Sequence, residues 1–188
     1  HKYSLCIVDT KGSHHDLTDD YAKIPEEMKL VAEFFGKEFL REVPKADFYA
    51  NIAALREKTG DRPVLRALHF FEDNDRVADQ VNALNNGDFE GFLKMIKQSG
   101  DSSFKYLQNI YTNKDVHNQS MSIALAVSEM TLKDHGVCRV HGGGFAGTIQ
   151  AFVQNDFVET YRAALDAVFG EGACHVLKVR KYGGMKVM

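Results

Sequence analysis

Apolar residues recur along this chain at two spacings, and each spacing predicts a different element. Tyr3 to Asp9 mixes aromatic and β-branched residues and predicts a strand. Lys11 to Asp16 is rich in breakers and reads as a loop. Pro25 is then expected to open a helix, where its missing N–H is harmless, with Glu26 and Glu27 favouring the N-terminus. Met28, Val31, Phe35 and Phe39 follow at three- and four-residue spacing and should form one buried face. Asp47 can cap a helix running roughly to Glu57. Arg62 to Asn85 is a long helical pattern, apolar at Leu65, Leu68, Val77, Val81 and Leu84, and Asn85-Asn86-Gly87 stops it. Asp88 caps a helix bearing Phe89, Phe92, Leu93 and Ile96, and Ser102 starts a short one with Phe104, Leu107 and Ile110.

Val116 to Lys133 is a further helical stretch with Ile123, Val127 and Met130 on one side, and Gly136 sits where a left-handed cap is wanted. Val137 to Val140 and Thr148 to Val153 are short strands, the second alternating Ile149, Ala151 and Val153 on one face. Asn155 or Asp156 caps a helix with Val158, Tyr161, Leu165 and Val168, and His175 to Val179 is the last strand. Strand, several helices, strand, strand, helix, strand is a split βαβ order. It predicts an α+β fold with a ferredoxin-like antiparallel sheet and a large helical insertion in the first crossover. A loose tail is expected from Lys181 to Gly184.

Composition narrows the function classes. The chain has 188 residues, 44% of them hydrophobic, enough for one domain over 1–188 without disulfide or metal staples. A net charge of −3 with no Lys/Arg tract argues against a nucleic-acid partner. No apolar run approaches the roughly 18 residues of a membrane span, and no signal peptide is visible. Cys6, Cys138 and Cys174 are odd in number and far apart, which fits inert core thiols in the cytoplasm rather than a disulfide framework. The chain opens on His1, not Met, and enters a strand at once, so a piece of a longer protein is expected.

The densest chemical signal is His141-Gly142-Gly143-Gly144-Phe145-Ala146-Gly147-Thr148. Consecutive backbone N–H groups in such a turn can cradle an anion, and glycine lets another group approach closely. A tight hairpin without a ligand is the competing reading. No Lys-Ser/Thr pair follows, so this is not a phosphate loop of the Walker kind. The adjacent His14 and His15 would point apart in an extended segment, and no metal site is expected there. His69, Glu72 and Arg76 share one helical side and suggest an internal ion-pair network rather than a catalytic trio.

These residues carry a resemblance. Arg139 to Thr148 resembles the galactokinase signature Arg-Met-Thr-Gly-Gly-Gly-Phe-Gly-Gly-Cys, in the GHMP kinase family. In the same order, Val8-Asp9-Thr10 with His14 and Tyr21 resembles the family's first strand and its sugar-contacting tyrosine. Leu40-Arg41-Glu42-Val43 resembles its Leu-Arg-Asp-Val. Arg66, His69, Glu72 and Arg76 resemble a helix motif, and Gly87-Asp88-Phe89 with Ser99 resembles the next segment. The chain departs from the pattern at Ile24, where an arginine is usual, and at His141, Ala146 and Thr148, where threonine, glycine and cysteine are usual.

The resemblance implies the C-terminal domain of a sugar 1-kinase (a transferase of galactose metabolism) that moves the ATP γ-phosphoryl group to the anomeric hydroxyl of galactose with Mg²⁺. Tyr21 would contact the sugar, or else pack as an ordinary helix-side tyrosine. His141, Gly142, Gly143, Gly144, Phe145 and Gly147 would line the cleft near phosphate, with His141 either reaching a ligand or filling space. No catalytic group is expected in this chain, because the family's N-terminal domain carries the ATP loop and the catalytic pair; the chain alone would be inactive. A kinase of a related sugar, a non-catalytic sugar- and ATP-binding sensor, and an unrelated ferredoxin-like interaction scaffold are the alternatives.

Overall fold

A computed structural model of the chain describes residues 2–12 and 16–179. The His14–His15 pair and the tail from Lys181 lie outside them.

Four strands build one antiparallel sheet: β1 (Tyr3–Asp9), β2 (Gly136–Val140), β3 (Thr148–Gln154) and β4 (Cys174–Leu177), in the order β2-β3-β1-β4. β1 pairs with β3 from Tyr3 opposite Gln154 to Asp9 opposite Thr148. This is the expected split βαβ arrangement. Alternation puts Cys6, Val8, Cys138, Val140, Ile149, Ala151 and Val153 on one face. There they pack under α6 (Ser120–Leu132) and α7 (Val158–Phe169) through Met121, Ala124, Leu132, Tyr161 and Leu165. The other face of β2 and β3 meets α5 (Phe89–Ser102), where Phe92 stands edge-on to Phe152.

The crossover between β1 and β2 carries the helical insertion: α1 (Thr18–Phe34), α2 (Lys45–Ala50), α3 (Ile52–Thr59) and α4 (Asp61–Asn85). It has its own core of Val31, Ala32, Leu40, Val43, Phe48, Leu55, Val64, Ala67 and Phe71.

Several expectations are corrected. α1 begins at Thr18, not Pro25, and runs through the proline. Leu17, Tyr21 and Ile24, one helical face, pack against Phe145 and Ala146, and that burial extends the helix upstream of a residue that cannot donate to the Tyr21 carbonyl. Phe39 lies beyond the end of α1 and is 61% exposed. The stretch from Asp47 to Glu57 is two helices broken at Asn51, with Asp47 inside the first. Val77, Val81 and Leu84 on α4 and Val168 on α7 are exposed. Ser103–Leu107 continues α5 as a π-helical turn rather than opening a new helix, and Gln108 leaves it in the left-handed region. α6 starts at Ser120, and its buried face is Met121, Ala124, Ser128 and Leu132, while Ile123 and Met130 face solvent.

Gly136 is extended rather than left-handed, and Lys133 takes the positive φ. A Cβ on Gly136 would lie 2.2 Å from the Phe152 carbonyl oxygen, so close strand approach is what requires glycine there.

Candidate functional site

The glycine loop joins β2 to β3. Gly142, Gly144 and Gly147 have positive φ, and so does Phe145, an uncommon conformation for an aromatic residue. The loop is tied down from three sides. Phe145 N–H donates to the Asn109 carbonyl at 2.5 Å, and the Asn109 amide donates to the Gly143 carbonyl at 3.2 Å. Thr10, at the end of β1, donates through both N–H (2.9 Å) and Oγ1 (2.8 Å) to the Gly147 carbonyl.

Tyr21 supplies the third tie. Its hydroxyl donates to the Gly144 carbonyl at 2.7 Å, its ring edge meets the Phe145 ring with centroids 5.2 Å apart, and its Cε1 would lie 3.0 Å from a Cβ on Gly143. Burial raises the phenol's pKa, so the hydroxyl stays protonated and able to donate. Tyr21 and the loop, read as separate signals in the sequence, are thus one constellation.

His141 sits at the entrance of the loop. Its N–H donates to the Thr148 carbonyl at 3.1 Å, and Nδ1 is 2.9 Å from Thr148 Oγ1. The departures from the galactokinase pattern therefore fall into two sets. His141 bonds Thr148, and Ile24 shares an apolar cluster with Ala146.

Asn109 was missed in the sequence. It carries no motif signal, and only the fold brings it under the loop. Its Oδ1 is buried without a hydrogen-bond partner, as is Asp20 Oδ2 in α1. The network of the long helix also differs from expectation. Asp73, not Glu72, is its hub: it accepts from Arg76 Nη1 (2.6 Å) and Ser99 Oγ (2.6 Å), and Ser99 accepts from Arg139 Nη1 (2.6 Å). His69 Nδ1 lies 2.9 Å from Ser102 Oγ, and burial lowers its pKa, which keeps the ring neutral. Glu72 faces Tyr49 and Lys45 on the exposed side. All three cysteines are buried and free, and burial pushes the Cys138 thiol up to about 12. Among the described residues no group of three His, Cys, Asp or Glu side chains is placed to hold a metal.

Comparison with known proteins bears on the chain as a whole. The chain is 27% identical over 162 residues to a protein from Actinobacillus pleuropneumoniae serotype 3, covering 86% of this chain and 40% of that one. It is 28% identical over 181 residues to one from Thermotoga petrophila, covering 90% and 47%. Both relatives are galactokinases. The resemblance is to their C-terminal portion, and the chain spans less than half the length of the curated relatives it matches. Lactococcus lactis galactokinase, solved with galactose, has the same fold, with a TM-score of 0.70 and 20% identity over 94% of this chain and 45% of that one.

The amino acid permease N-terminal family matches residues 26–88. That is about a third of the chain, contains none of the sheet, and corresponds to the helical insertion. No helix among the described residues is long and apolar enough to cross a membrane.

Proposed function

We propose that this chain is the C-terminal domain of a galactokinase-type sugar kinase, covering 1–188, and that the ATP-binding and catalytic N-terminal domain is its partner in the same cytoplasmic protein. The observation that carries this reading is the meeting of Tyr21 with the Gly142–Gly144 turn, in a fold shared with a galactokinase. ATP with Mg²⁺ supplies the phosphoryl group. Phosphoryl transfer depends on positioning and charge stabilisation more than on covalent protein chemistry, so a wall of fixed backbone dipoles is a useful contribution. The turn fits that task. Phe145 and Ala146 N–H groups are spent on Asn109 and Gly144, while a Cβ on Gly142 would meet nothing within 4 Å, leaving room for a phosphate to reach the backbone. His141, with Nδ1 held by Thr148, keeps its other ring nitrogen for a ligand.

Tyr21 is assigned to the sugar. Its proton goes to Gly144, so the phenol oxygen accepts from a sugar hydroxyl, or the proton changes partner when sugar binds. The reacting groups and the Mg²⁺ ligands are assigned to the N-terminal domain, so the chain by itself does no chemistry.

The test is a coupled kinase assay on the protein with its N-terminal domain, using ATP–Mg²⁺ and a panel of free sugars, beside this chain alone. Galactose turnover by the first and none by the second is expected, and Tyr21→Phe should raise the KM for sugar several-fold with less effect on kcat. Turnover of another sugar alone overturns the substrate. Saturable sugar and ATP binding without turnover replaces the kinase with a sensor.

A further inference from the structure

A cavity of about 370 Å³ opens between the first turn of α1, the N-terminal half of α4, the π-helical turn with the segment after it, and Phe145 of the glycine loop. We infer that it binds a small hydroxylated anion, a polyol bearing one phosphate or carboxylate group. The volume lies within the usual range of small-molecule sites.

The polar lining asks for two kinds of partner at once. Asp20 Oδ2 is buried and has no hydrogen-bond partner, and the ammonium of Lys114 stands 3.6 Å away. A buried carboxylate oxygen without a donor is unfavourable, and a ligand hydroxyl would satisfy it. On the same lining, Arg62 and Arg66 share one carboxylate. Arg62 Nε donates to both Glu27 oxygens at 3.0 Å, and Arg66 Nη1 donates to Oε2 at 2.8 Å. Asp20 acts electrostatically on both guanidinium groups as well, so Arg62, Arg66 and Lys105 together outweigh Glu27 and Asp20 by a single positive charge. Arg66 is 2% exposed and is held by the Leu107 carbonyl at 3.0 Å, so this cationic wall is set before any ligand arrives.

The Gln108 and Asn113 side chains lie on the same lining, and Tyr111 offers a ring against which the C–H face of a polyol can pack. Inorganic phosphate would satisfy the cations and be repelled by Asp20. A neutral sugar would satisfy Asp20 and leave the cations unused. A ligand with both hydroxyls and one anionic group uses both walls. The inference does not rest on the kinase reading, because binding is scored without turnover.

The experiment is an NMR titration of the isotopically labelled protein with glucose 6-phosphate, gluconate, galactose and inorganic phosphate in turn. Glucose 6-phosphate, gluconate or both should give saturable shifts at the Gln108 and Asn113 side-chain amides and at Arg62 Nε, and which one binds tells phosphate from carboxylate. Asp20→Asn and Arg62→Gln should each weaken that binding at least tenfold. If Asp20→Asn does not fold, Asn113→Ala, on the exposed wall, serves in its place with a smaller loss. Three results would overturn the inference: no saturable shift with either anion, equal binding of inorganic phosphate that ignores Asp20→Asn, or shifts confined to Gly142–Gly144.

Discussion

Gly142 and Gly144 stand two residues apart in one turn, both with positive φ, yet for different reasons. A Cβ on Gly144 would lie 1.9 Å from the Asn109 carbonyl oxygen, whereas one on Gly142 would meet nothing within 4 Å. Gly144→Ala should therefore cost about 3 kcal/mol or more, strain and clash together. Gly142→Ala should cost about 1 kcal/mol from backbone conformation alone. Urea unfolding of the two variants measures the gap, and equal losses would mean that the Asn109 contact is not what fixes the loop. The same turn shows how substitutions travel together. His141 and Thr148 contact each other, and Ile24 and Ala146 share one apolar cluster, so the four departures from the galactokinase pattern lie in two neighbourhoods.

Elements show where periodicity was enough and where it was not. β3 alternates strictly, and Ile149, Ala151 and Val153 are all fully buried, as the pattern demands. α6 is apolar nearly all round, so spacing could not say which side faces the core, and the structure buries Met121, Ala124 and Leu132 instead of Ile123 and Met130. On α4 the adjacent acids Glu72 and Asp73 look interchangeable in sequence. Asp73 holds Arg76 and Ser99 in a partly buried network that reaches Arg139 at the root of the glycine loop, while Glu72 sits among exposed partners. Asp73→Ala should cost about 2–3 kcal/mol by leaving those donors unpaired. Glu72→Ala should change stability by about 1 kcal/mol or less. Thermal unfolding of both would settle which acid is structural, and the reverse order would remove Asp73 from its role as hub.

At the scale of the molecule two hydrophobic cores share one chain, one between the sheet and α6–α7, the other inside the insertion of α1 to α4. Regions with separate cores open with separate free energies. Phe48 is fully buried in the second core, and Phe48→Ala should cost about 3–5 kcal/mol there. Hydrogen exchange should then show lost protection across α1 to α4, while β1 and β3, paired over seven residues, remain protected. Uniform loss across both regions would mean that the insertion and the sheet unfold as one unit.

Legible from the chain alone were the split βαβ order, the buried face of β3, Asp88 as a helix cap, and the glycine loop as the place to look. These are local matters, set by side-chain spacing, capping chemistry and the conformational freedom of glycine. Tertiary structure decided the rest. Helix α1 runs through Pro25 because Leu17, Tyr21 and Ile24 find Phe145 and Ala146, residues more than a hundred positions away. Tyr21 reaches Gly144, Asn109 braces the loop, and Asp73 displaces Glu72 as hub only once the helices have packed. Such contacts bury polar groups against partners distant in sequence, and that pairing is set by geometry that no local spacing encodes.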